Sequence, residues 1–416
     1  MKFSIDVKEA QTLTADLVRI PSPYFQEEPV MRFAFDWLEK AKVPVEFHRF
    51  HEDKILNYEG INVWGVVEGA KSGPTVVLNG HLDTVKLCEG WTRDPFGAEV
   101  EDGRLYGLGA CDMKGGCASI MLALKHFLMR NGSFSGRIVY SLVCDEEGPF
   151  GLGTDALIMD GIIPQKADIA IVTEPSSAFA GVVFPAVCLG ARGGYNYKLS
   201  FTGKSAHGAF PEQGINAVSD AAKVLLELEK TSMRFDEKLG RGSICCIDFE
   251  GGGAALSVPD RAEFSVFRHT VLGEDKDTIL EEVKAAVERA NIRSKVDFKF
   301  REAPHPECDG FPAYVTSRDN EYVKLFEEST KHVTGQSPKE TYFASVGDFC
   351  YIGGKLGIPT VLFGPSGGNF HGPDEYVNIE DVKTTTEVIL EFLERSLNLS
   401  MSSPPHGKAY LKEMEL

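Results

Sequence analysis

Two histidines and a set of acids are the residues of this chain whose types and spacing could do chemistry. His81 and Asp83 close the apolar run of "VVLNGHLDTV". Side chains two apart on a strand point to one side, so both could face one site. Asp145, Glu146 and Glu147 follow "IVYSLVC", Glu174 follows "ADIAIVT", and His371 lies in a glycine-rich loop after "PTVLFG". Asp112 sits in "YGLGACDMKGG", a glycine-rich turn leading into a helix. Each alone has a plain reading: a satisfied polar residue at a strand end, a solvated turn, a helix cap. Their clustering changes this, because carboxylates buried side by side are costly unless cations neutralise them. Imidazole nitrogen and carboxylate oxygen suit zinc, and would accept cobalt or manganese. Two histidines and three carboxylates are enough for two metals sharing a bridging carboxylate, with a water between them as a ready nucleophile. Of the adjacent Glu146 and Glu147, one can ligate while the other handles protons.

Positioning these residues needs strands that end together. "NVWGVVEG", "TVVLNG", "GRIVYSLVC" and "ADIAIVT" read as strands, and "GGCASIMLALKHFLMR" as a largely buried helix. Apolar strands alternating with helices predict an α/β/α domain with a mostly parallel sheet, and ligands of such sheets bind beyond the strands' carboxyl ends. The texture changes near Gly190. "GGYNYKLSFTG", "SICCIDFEGG", "RAEFSVFRHT" and "KVDFKFRE" read as strands, with helices in "NAVSDAAKVLLELEK" and "DTILEEVKAAVERAN". That predicts a compact α+β domain of the ferredoxin-like kind, inserted into the first. The expected division is 1–189 with 306–400, interrupted by 190–305, and a tail over 401–416 with no apolar stripe.

The chain has 416 residues, long enough for two domains and a large core. A formal net charge of −18 argues against a nucleic-acid partner, which needs basic clusters. Nine dispersed cysteines suit a reducing compartment. No signal core and no run near the ~20 apolar residues of a membrane span are present. The expectation is a soluble cytoplasmic protein. Cys111 and Cys144 lie beside ligand positions but on the opposite side of their strands or turns, and read as packed thiols.

"NGHLDTV", "GRLYGLGACDMKGG", "DEEG", "VTEP", "SAHGAFPEQGINA" and "NFHGPDEYV" occur in that order. Together they resemble the dinuclear zinc deacylase and carboxypeptidase family, which includes acetylornithine deacetylase, succinyl-diaminopimelate desuccinylase, aminoacylase and carboxypeptidase G. The resemblance spans roughly residues 8–398. It implies two zinc ions per subunit: His81 and Glu174 on one, Glu147 and His371 on the other, Asp112 bridging. It implies a cis Asp112–Met113 peptide, Asp83 orienting His81, and Glu146 as general base and then acid. It also implies that His207 reaches the active site of a partner subunit and steadies the oxyanion, so a homodimer is expected. Arg268 and Asn216 are the expected substrate contacts, with Ser257 as the nearby side-chain donor that remains. Leu256 stands where the family has an asparagine, and "SVGDFCYIGG" lacks the arginine that some members carry after the acid matched by Asp348. That makes a dicarboxylic substrate less expected. The expected activity is hydrolysis of an N-acyl amino acid of the acetylornithine type. The alternatives are a dipeptidase or carboxypeptidase on the same scaffold, or a succinyl-diaminopimelate desuccinylase. The expected partner is a small acylated amino acid or short peptide.

Overall fold

Four strands whose side chains are buried on both faces form the middle of the large sheet: Lys71–His81, Ser135–Val143, Ile169–Val172 and Thr360–Leu362. Burial on both faces is why they read as apolar runs rather than as alternations. The computed structural model describes residues 4–397. In the sheet the four lie side by side in the order 135–143, 71–81, 169–172, 360–362, all parallel. Their carboxyl ends therefore open on one edge. Antiparallel neighbours extend the sheet on both sides, Tyr58–Glu68 and Glu46–Glu52 beyond one edge and Ala186–Ala191 beyond the other.

Helices Val7–Val18, Gly115–Arg130, Glu321–Thr334 and Ile379–Ser396 pack on one another as a layer. Glu28–Lys40 and Leu152–Met159 pack on strand Tyr58–Glu68. Helix Gly115–Arg130 is apolar nearly all round, as expected of a helix buried between the sheet and a second helix. The helix starts are chemically marked. Asp6 accepts from the main-chain N–H of Lys8, and Asn320 from those of Tyr322 and Val323. Pro29 stands in the first turn of Glu28–Lys40.

The second sheet is antiparallel, ordered Ser243–Gly252, Arg261–Thr270, Gly193–Thr202, Lys295–Phe300. With helices Ala217–Glu229 and Lys276–Ala290 in the connections, this is the ferredoxin-like order. It has its own core, built around Tyr197, Leu199, Phe201, Val224, Phe264 and Ile279. The chain changes sheets at Arg192, between Ala186–Ala191 and Gly193–Thr202. It returns gradually, since Gly310–Phe311 still pairs with the small sheet and Tyr314–Val315 already pairs with the large one.

Among the strands of the large sheet that escape the sequence reading are Ala186–Ala191, wholly buried but mostly of small residues, and Lys339–Phe343, short and beginning with charge. With the antiparallel flanks they make the large sheet mixed, parallel at its centre. Among the described residues no helix is long and apolar enough to cross a membrane. The expected tail over 401–416 lies outside the described residues.

Candidate metal centre

Each central strand delivers a polar residue as it leaves the sheet. His81 ends its strand, Glu146 and Glu147 follow Val143 by a short turn, Glu174 follows Val172, and His371 follows Leu362 by a loop. Asp112 arrives from the turn before helix Gly115–Arg130. Gly109 makes that turn at φ +77°, and the Asp112–Met113 peptide is cis. At Gly116 a Cβ would stand 2.1 Å from the Thr173 carbonyl oxygen, so glycine is needed for the helix to approach the strand that carries Glu174.

The six side chains converge. His81 Nε2 lies 3.2 Å from Asp112 Oδ1, 3.7 Å from Glu174 Oε1 and 3.9 Å from Glu146 Oε2. His371 Nε2 lies 2.9 Å from Glu147 Oε1 and 3.4 Å from Asp112 Oδ2. Asp112 thus turns one oxygen to each histidine. His81 Nδ1 meets the main-chain carbonyl of Asp83 at 3.0 Å, which leaves Nε2 for a ligand role.

Asp83 does a different job from the one expected. Its carboxylate is 3.6 Å from His81 Nδ1 and instead accepts the main-chain N–H groups of Glu146, at 3.2 Å, and Glu147, at 2.9 Å. A buried carboxylate satisfies its charge best on the nearest unpaired N–H groups, and the turn after Val143 offers two. Asp83 therefore fixes the two glutamates, while its carbonyl fixes His81.

Two supports stand outside the expected site residues. Glu375, buried, accepts main-chain N–H groups of Gly109, Cys111 and Asp112 at 2.8, 2.8 and 3.0 Å, and so holds the turn that presents Asp112. The Asp348 N–H donates to Glu146 Oε1 at 3.2 Å, and the Asp348 carboxylate accepts from Thr154. Glu375 stands inside the quoted "NFHGPDEYV", but an acid in a turn carries no sign of its distant partners.

Burial pushes the carboxyls of Glu146, Glu174 and Glu147 up, and neighbouring acids add to the effect. Burial would lower His81, but Asp112, Glu174, Glu146 and Asp83 raise it well above the usual range. Hydrogen bonds to Asp112 and Glu147 push His371 up to about 11. Asp112 itself is held low, since the two histidines outweigh its burial.

The residues fit a divalent cation. Glu174 Oε2 is buried without a hydrogen-bond partner, and nitrogen and carboxylate donors surround it. Ligand atoms of His81, Asp112 and Glu147 lie within 4.8 Å of one another, as do those of His81, Glu146 and Glu174. A third such group, Asp155, His305 and Cys308, is already neutralised. The Asp155 oxygens meet His305 at 2.5 Å and Lys355 at 3.1 Å. Cys111 and Cys144 are fully buried, and burial pushes both thiols up.

The inserted domain's four expected residues stand apart from this cluster. None lines the cavity of about 340 Å³ that opens over it. His207 is exposed on a loop bridged to Ser257, with Nδ1 accepting from the Ala209 N–H. Asn216 caps helix Ala217–Glu229 by accepting from Ser219. Arg268 corrects the expectation of a substrate contact. It is fully buried, its guanidinium bonded to Glu282 at 2.8 and 3.0 Å and to Glu274 at 2.8 Å. A desolvated guanidinium needs such partners, and two acids leave it no fork for a ligand.

Nitrogen and carboxylate donors gathered at the ends of parallel strands give this fold the site of a metal-dependent enzyme. The model of peptidase family M20/M25/M40 matches residues 77–395, so the chain belongs to that family and is a metal-dependent hydrolase of amide or peptide bonds. It is 31% identical over 348 residues to a succinyl-diaminopimelate desuccinylase of Wolinella succinogenes, covering 81% of this chain and 89% of the relative. It is 29% identical over 393 residues to one of Methylobacterium radiotolerans, covering 91% and 94%. Among solved structures, an aminopeptidase of Bacillus cereus superposes with TM-score 0.76 at 20% identity, over 94% of this chain and 99% of that one. A metallo-carboxypeptidase of Sulfolobus solfataricus superposes with TM-score 0.71 at 20% identity, over 94% and 99%. At these identities the superpositions speak for the fold.

Proposed function

We propose that the chain hydrolyses the amide bond of an N-acyl amino acid with Glu146 as general base. The observation that carries this is Asp112 facing His81 with one oxygen and His371 with the other, beside a glutamate already held by a second contact. His81 and Glu174 would hold one zinc ion and Glu147 and His371 a second, with Asp112 shared; cobalt or manganese are the substitutes. Such ions, when bound, polarise the scissile carbonyl and make water acidic enough to attack.

The chain's own residues do the rest. Glu146 Oε1 is tied to the Asp348 N–H, so Oε2 is the oxygen turned toward the cluster. It takes the proton of the attacking water and returns it to the leaving nitrogen. His207 of a second subunit, with Ser257 beside it and Asn216 through its amide nitrogen, meets the substrate from the inserted domain. The homodimer this requires has a candidate surface. Strand Ser243–Gly252 lies at the edge of its sheet, with Ile247 and Phe249 exposed. A cytoplasmic setting is supported by nine free cysteines.

The acetylornithine-type substrate has less support than its desuccinylase alternative, because the named relatives above are desuccinylases. Metal-loaded protein assayed against N-acetyl and N-succinyl amino acids beside dipeptides decides among deacylase, desuccinylase and peptidase. Turnover that survives complete chelation would refute the metal-dependent reading.

A further inference from the structure

We infer, against what the names of the desuccinylase relatives suggest, that the cavity over the metal centre takes an aromatic or bulky apolar acyl group rather than one bearing a carboxylate; this rests on the amide-hydrolase reading. The floor of the cavity is Asp112, Glu146, Glu147, Glu174 and His371. Its wall is Phe179, Phe343, Val346, Phe349 and Phe370, with Ser345 as the polar exception.

The four rings form one continuous surface. Phe179 stacks on Phe343 at 4.5 Å between centroids and meets Phe370 edge-on at 5.2 Å. Phe343 meets Phe349 at 5.9 Å. Three different stretches of chain supply them: the helical turn Ser176–Phe179, the segment from strand Lys339–Phe343 to Phe349, and the loop that carries His371. Phe370 remains 38% exposed at the rim, an apolar ring left facing water beside a polar floor. Edge-to-face and offset arrangements leave such rings able to receive another ring.

Charge points the same way. Among the described residues no arginine or lysine lines the cavity. Arg268 is occupied by Glu274 and Glu282. A carboxylate on the acyl arm would leave water for a wall of phenylalanines with one hydroxyl, a costly exchange. In the proposed pose the acyl carbonyl lies at the acidic floor and its substituent meets the rings. A volume near 340 Å³ is at the small end of ligand pockets, enough for an arm of phenylacetyl size.

The test uses the zinc-loaded full chain and N-phenylacetyl, N-acetyl and N-succinyl derivatives of one common set of amino acids. The expected kcat/KM for the phenylacetyl compounds exceeds that for the succinyl compounds by on the order of tenfold or more. In Phe179→Ala, Phe343→Ala and the rim variant Phe370→Ala, the last least able to disturb folding, that ratio falls severalfold. Succinyl compounds turned over as well as or better than phenylacetyl ones overturn the proposal, as does a ratio unchanged in all three variants. If no derivative is hydrolysed, the hydrolase reading fails by itself. Calorimetric binding of the same compounds then still decides the pocket: tighter phenylacetyl binding keeps it, and equal or tighter succinyl binding overturns it.

Discussion

Glu375 accepts the main-chain N–H of Asp112 at 3.0 Å, so the residue shared between the two histidines is held from behind by a second carboxylate. The same group binds the N–H groups of Gly109 and Cys111, and burial pushes it up to about 8. In Glu375→Gln one of the two acceptor oxygens becomes an NH2 facing an N–H. An unmet buried donor costs about 1–3 kcal/mol. We expect metal affinity to fall about tenfold to a hundredfold, as for other groups that orient ligands, with the circular dichroism spectrum unchanged. Calorimetric metal titration checks this, and undiminished affinity would show that the turn holds itself.

Asp83→Asn removes one of the two acceptors that serve Glu146 and Glu147. Turnover should drop by on the order of tenfold or more through misplacement of the base and a ligand. Zinc content, measured by atomic emission, should fall less than turnover does. Full activity with normal zinc would reduce Asp83 to a structural acid.

Glu146→Gln and His207→Ala chains should each be inactive on the proposed scheme. Mixed in equal amounts and allowed to exchange subunits, they should regain up to about a quarter of native activity, since half of the dimers are then mixed and each mixed dimer holds one intact site. No recovery, with exchange confirmed by mass spectrometry, rules out action across subunits.

Glu27, which lies behind the metal centre beside Asp83, gives stability a pH dependence of its own. It is 2% exposed, and burial and Asp83 push its carboxyl up to about 7 from the ordinary 4.5. Between those values the folded chain keeps a proton that the unfolded chain has released. Stability therefore falls as pH rises through that window, by about 3 kcal/mol at most. Glu27→Gln, which can still meet Phe25 N–H and Tyr58, should flatten the fall in Tm between pH 5 and 8. An unaltered slope would place the effect elsewhere.

Removing metal should lower Tm, because Glu146, Glu147 and Glu174 then face one another without a cation. Added zinc should restore it at micromolar concentrations. Thermal unfolding of chelated and refilled protein that coincide would argue that these acids bind no ion.

What was legible in the sequence follows from locality. His81 and Glu174 were legible because an apolar run that ends on a ligand type is a local pattern, and the parallel strands bring those ends together. Asp83 was legible as a member of the site but not in its duty, since the N–H groups it serves are 63 and 64 residues away. Glu375 was hidden for the same reason. Arg268 is expected at the substrate only because the resemblance puts an arginine at its position, and a motif match does not say what lies around it, here two acids from the following helix region. The aromatic wall was hidden because its four rings come from three separate segments, none of which has a periodicity of its own.

The insertion of one domain within another has a consequence for how the enzyme comes into being. His371 stands 224 residues beyond Glu147, and the whole small sheet is synthesised between them. The strand that leads to His371, Thr360–Leu362, joins the parallel set last. A growing chain that has delivered His81, Asp112, Glu147 and Glu174 therefore carries a crowd of acids with one imidazole and no closing strand. Such a chain lacks the second imidazole that Asp112 and Glu147 meet, so the cluster is incomplete until His371 has been made.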